Sequence, residues 1–233
     1  MSADPVWCLL RIQPFDVLKV KKVFDEAVEN SQILNKLQNY LQNRTENKSQ
    51  FHPQEQETFN SYFPNAFVNK AENEDIFDWE DLHNVYHLFF PRSFTEIFDY
   101  LFIGDAPIIS MPMSQALLEL IITNRVGATE ILWGGLGWKR ASRLPGYLGN
   151  MFVLPEDIAN VLTIIEEIFA EVSIDEFVQG ARTIGARGNC NESYAERLQS
   201  LILSCFSTVL HEGNGLLALS YPHMGSMPFP ENY

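Results

Sequence analysis

Basic side chains are scarce in this sequence: 16 lysines and arginines stand against 30 aspartates and glutamates, for a formal net charge of −14. A general nucleic-acid binder needs a basic face that displaces counterions from phosphates, so the balance argues against that class. Surplus acid keeps a protein dispersed; its sharper meaning is a surface complementary to a basic protein. Cysteine is also sparse. Cys8, Cys190 and Cys205 are too scattered for a disulfide framework and form no Cys-x-x-Cys pair, which fits a reducing cytosol. In that compartment the sequons at Asn43, Asn47 and Asn191 carry no meaning. No apolar run approaches the roughly 20 residues of a membrane span. The opening MSADPVWCLLRI has no cationic stretch ahead of its short apolar run, so no signal peptide is expected.

Cofactor and catalytic signatures are missing as well. Gly135 and Gly137 begin a dinucleotide-like pattern, but Arg140 stands where Gly-x-Gly-x-x-Gly needs its last glycine. A phosphate-binding P-loop ends in Gly-Lys-Ser/Thr, and this passage has Trp138-Lys139-Arg140 instead. There is no Gly-x-Ser-x-Gly nucleophile elbow. No cofactor is expected.

What is present suits a well-packed globule. The 233 residues are 46% apolar and include 17 phenylalanines, and a chain of this length buries roughly 70–75% of its unfolded surface. Val6–Ile12 reads as a strand. Pro14 and Asp16 suit a first helical turn, and Phe15, Leu18, Lys19, Lys22, Val23 and Ala27 predict a helix with one apolar stripe. Ser31 is placed to cap a second helix to about Asn43. Residues 43–75 are mostly Asn, Gln, Glu and Lys, a polar surface insertion. Trp79, Leu82, Tyr86 and Phe89 recur at helical spacing, and Ser93 with Glu96 forms a capping box for a helix ended by Gly104. A helix is predicted from Ser114 to about Arg125 and a strand over Ala128–Trp133. Pro155 opens a helix to about Ala170, Ser173 and Glu176 form another capping box, and a long helix runs from about Glu192 to His211. Gly213 ends it, and Gly215–Tyr221 reads as the closing strand. Val6–Ile12, Ala128–Trp133 and Gly215–Tyr221 are expected to share one sheet.

Three places carry candidate chemistry. In FDWEDLHNVYHLFF, His83 and His87 lie four apart, on one face of a helix, as metal sites require. Asn84 replaces the glutamate of His-Glu-x-x-His, and no convincing third ligand adjoins, so no metal is expected. His87 with Asp78 or Glu80 remains a candidate acid–base pair. The second place is Gly134–Asn150, where five glycines accompany Lys139, Arg140 and Arg143. Those cations and the glycine amides form a candidate anion site; the alternative is a connection anchored by Leu136, Leu144 and Tyr147, its cations partnering the surplus carboxylates. Cys190, near Arg182 and Arg187, is a candidate low-pKa thiol, but no local signature supplies its histidine.

The order of these pieces resembles the YfbM-like family of bacterial proteins. VWCLLRIQPFDVLKV is similar to the family's opening strand and helix. FDWEDLHNVYHLFF resembles its acidic and aromatic middle motif, with Asp78 and His87 on matching positions and His83 where tryptophan is usual. LFIGDAP, YLGNMFVLPEDIANVLTIIEEI and VLHEGNGLLALSY resemble its later segments. The resemblance implies a single layered α/β domain and no established activity. Residue patterns and resemblance together predict an α/β class: a helix-rich domain over residues 1–221 with a small mixed sheet flanked by helices, then a Pro-rich tail over 222–233. The expected function is a non-enzymatic binding or inhibitory module for a basic partner. The alternative is a small-molecule or hydrolytic enzyme using His87, a nearby carboxylate and an anion site in 134–150. Elemental analysis of the untagged protein should find zinc far below stoichiometry; near-equimolar zinc would reinstate the histidine pair as ligands.

Overall fold

A computed structural model describes residues 5–31, 97, 100–101, 108–109, 111–123, 126–141, 143–146, 149–183 and 190–221. In chain order these form β1 (Val6–Ile12), α1 (Val17–Ser31), α2 (Met113–Ala116), β2 (Leu117–Ile122), α3 (Ala128–Leu136), α4 (Trp138–Ala141), β3 (Met151–Val153), α5 (Ile158–Ala170), α6 (Ile174–Thr183), α7 (Glu192–Glu212) and β4 (Gly215–Tyr221). The predicted class is what they show, with helices dominating and flanking a small sheet, but the sheet is antiparallel rather than mixed, because its described ladders join no parallel strands. Its order is β2-β1-β4-β3, and every ladder among the described residues is antiparallel.

The sheet is covered on both faces. Trp7 pairs with Ser220 and Leu9 with Ala218, so these four side chains share one face. There Ser220 Oγ donates to Thr129 Oγ1 of α3 at 3.3 Å, and Trp7 Nε1 donates to the Gly149 carbonyl at 2.9 Å. On the opposite face Leu217 pairs with Leu10 and Phe152, and the Phe152 ring lies 6.3 Å from that of Phe24 in α1. β1 is buried except for half-buried Arg11, and β4 is buried from Gly215 to Ser220. Such strands read as continuous apolar runs rather than alternating ones.

Helix ends follow their side chains. Asn191 Oδ1 accepts from Tyr194 N at 2.8 Å to start α7, and Gly213, at φ 69°, closes it in the left-handed region. Ser173 Oγ accepts from Glu176 N at 3.2 Å to start α6.

Three further expectations are corrected. Ala128–Trp133 is helical, because Glu130 Oε2 accepts from Gly127 N at 2.8 Å and fixes a helix start. This helix is buried nearly all round, which erases the one-sided stripe that marks surface helices. Leu117–Ile122, within the predicted helix from Ser114, is a strand instead. Its continuous LLELII has no helical stripe, and β1 needs a partner for backbone groups that water cannot reach. In α1 the buried stripe is Val17, Val20, Phe24 and Ala27, whereas Phe15 and Leu18 are 61% and 79% exposed. The helix is placed correctly; its facing is rotated.

The passage Gly134–Asn150 is likewise more ordered than a bare connection, since it finishes α3, forms α4 and leads into β3. Its first glycines serve helix packing. A Cβ at Gly135 would stand 2.5 Å from the fully buried Phe177 ring, and one at Gly180 of α6 would collide with the Gly134 carbonyl. α3 and α6 therefore meet backbone to backbone, an approach that any side chain would prevent. Gly180→Ala should cost about 1–3 kcal/mol in urea unfolding through overpacking. An unchanged midpoint would mean that the two helices are not held at this distance.

Candidate functional site

Arg140 belongs to α4 and Arg143 to the turn after it, placed beside α5 and the start of α6 by the α3–α6 contact. Arg140 Nη1 lies 2.9 Å from Glu176 Oε1 and donates to the Leu136 carbonyl at 3.2 Å, while its Nε is 4.0 Å from Glu171 Oε2. Arg143 reaches Glu171 Oε1 at 2.5 Å and Glu167 Oε2 at 3.0 Å. Two guanidiniums thus face three carboxylates, with Glu171 shared between them. Exposed pairs of this type contribute about 0–1 kcal/mol each, more when networked. Their larger effect is to occupy the cations, because an incoming anion would have to displace a carboxylate from each. Lys139 is in α4, and its side chain lies outside the described residues. So do Asp78, Glu80, His83 and His87.

The thiols are not activated. Cys190 is 3% exposed, and burial raises its pKa more than the nearby Arg182 lowers it. That reverses the expected sign: a charge lowers a thiol pKa only where desolvation does not outweigh it. Burial pushes Cys8 and Cys205 up to about 12. Among the described residues the sole histidine is His211, exposed at the end of α7, and no three His, Cys, Asp or Glu side chains gather as a metal site.

Glu130 is the titratable group that sequence reasoning missed. Burial pushes its carboxyl up to about 7, opposed by the hydrogen bond from Gly127 N. Reading residues 128–133 as a strand hid its place in the first turn of a helix, the one signal that would have marked it. A carboxyl titrating near neutrality is suited to proton transfer. Among the described residues no metal-ligating cluster includes it.

No protein-family model matches the chain, nor does any curated protein or solved structure.

The Glu130 shift has a sign that can be measured. Between its ordinary 4.5 and about 7 the folded state holds more proton than the unfolded state, so stability falls as pH rises through that window. Glu130→Gln keeps an acceptor for Gly127 N and removes the titration. Relative to that variant, wild type should lose about 2–3 kcal/mol between pH 4.5 and pH 8 in urea unfolding. Parallel pH profiles would show that folding leaves the Glu130 pKa unshifted.

Proposed function

We propose that the chain is a non-enzymatic binding or inhibitory module of the YfbM-like kind, acting in the cytoplasm on a basic protein partner. The observation that supports this reading is the charge on α5 and its flanks. From Glu156 to Glu176 seven carboxylates are exposed and no cation interrupts them. Arg140 and Arg143 engage Glu167, Glu171 and Glu176, which leaves Glu156, Asp157, Glu166 and Asp175 to set the sign of the surface. A one-sign face steers an oppositely charged partner and raises the association rate more than the final affinity. The same pairing weakens the enzyme alternative, whose anion site needs those guanidiniums.

Affinity purification at low salt should recover a basic protein. It should be released near 1 M salt, where the screening length shrinks to roughly 3 Å. Charge reversal by Glu166→Lys with Asp175→Lys should slow association at least about tenfold in a surface-binding assay. Turnover of a small molecule by the purified chain, lost in His87→Ala, would instead establish the enzyme.

A further inference from the structure

Away from the acidic face, β2 presents an open backbone edge. Among the described residues it is an edge of the sheet, and no lysine or proline interrupts LLELII. Natural edges are usually blunted by such residues, because an open row of N–H and C=O groups invites another strand. The ladder fixes where those groups point. Thr123 N donates to the Pro5 carbonyl at 3.2 Å, and two residues along the register Ile121 faces Trp7 and Glu119 faces Leu9. Antiparallel alternation makes these the hydrogen-bonded pairs. The backbone groups of Leu120 and Ile122 therefore point away from β1, to the outer side.

α7 runs beside this edge. Tyr194, Arg197, Leu198 and Leu201 form one helical stripe and, with residues 119–122, line a cleft of about 80 Å³. Small-molecule pockets hold about 300–1,000 Å³, so this cleft has room for a single side chain. Tyr194 Oη is buried there with no hydrogen-bond partner among the described residues. Burial, with a smaller contribution from Cys190, raises its phenol to about 12, so it remains an O–H donor.

We propose that the β2 edge and this cleft accept an extended segment of a partner protein as an added strand, with a basic residue over Glu119 and one side chain against the α7 stripe. Main-chain pairing to Leu120 and Ile122 supplies the attachment, and the cleft supplies selection. Charge decides the occupant. Glu119 is the one ionisable group of β2 and is half-buried, whereas Arg197 on the opposite wall is exposed and screened. A second copy of this chain is disfavoured, because each copy brings a net charge of −14.

The test is to pan a random linear peptide library against the full chain and measure the enriched peptides by fluorescence polarisation. Enriched sequences should carry Lys or Arg. Affinity should fall at least about tenfold in Glu119→Lys and in Leu120→Pro, whose lost N–H points outward and so leaves the β1 ladder whole. Tyr194→Phe should weaken binding while leaving the unfolding midpoint unchanged or higher, since its hydroxyl has no partner among the described residues of the free protein. If Leu120→Pro fails to fold, the other two variants decide. Peptides without basic enrichment, or bound equally by Glu119→Lys and Tyr194→Phe, overturn the proposal. So does a wild-type dimer that Glu119→Lys dissociates. Glu166→Lys with Asp175→Lys should leave peptide affinity within about twofold, so failure of the acidic-face reading and failure of this one are separable.

Discussion

β1 and β4 pair without interruption from Val6 with Tyr221 to Ile12 with Gly215, and they form the centre of the sheet. Apart from Arg11, β1 lies out of reach of water, as does β4 from Gly215 to Ser220, so their backbone N–H and C=O groups must be satisfied by neighbouring strands. β2 and β3 complete that pairing on the outer sides, with α1 on one face and α3 on the other. Because the first and last strands of the described chain are the central pair, the core closes only when both ends are present. Contacts of such high sequence separation slow folding. They also explain why Trp7 and Ser220, far apart in sequence, bond to the neighbouring Gly149 and Thr129.

The central pair was legible because it needs no context. VWCLLRI and GLLALSY are short apolar runs bounded by turn residues, and burial on both faces removes any alternation that might mislead. α7 was legible for a different reason: Asn191 and Gly213 mark its two ends with local hydrogen bonds and a left-handed residue. α3 and β2 were exchanged in the reading. ATEILW has β-branched and aromatic residues yet is helical, and LLELII has good helix formers yet is a strand. In each, intrinsic propensity differs among states by less than about 1 kcal/mol per residue. Burial and the pairing needs of β1 therefore decide, and neither is local.

Site residues divide along the same line. The two arginines were readable as partners for surplus carboxylates from composition alone, though not which glutamates they meet, since that depends on how α4 sits against α5 and α6. Glu130 was unreadable because its perturbation comes from burial in a helix that the sequence did not announce. The β2–α7 cleft joins residues about 75 positions apart, and only the fold makes them neighbours.

The glycines and cations of Gly134–Asn150 make a candidate anion site in the sequence, and their geometry unites them in another device. A cradle aims several amides at one anion above a helix N-terminus; here Gly134 and Gly135 lie at the C-terminal end of α3. Their missing side chains let α6 approach until Gly180 meets the Gly134 carbonyl. Gly137, at φ 74°, then turns the chain into α4. That turn sets Arg140 over Glu176 and Arg143 over Glu167 and Glu171. Glycine within a helix costs about 0.5–1 kcal/mol relative to alanine, which the close α3–α6 packing must offset. The positive charges follow as a consequence: the end of α5 and the start of α6 are adjacent along the chain, and once α3 meets α6, the corner after α3 sets two arginines against their carboxylates and reduces the mutual repulsion.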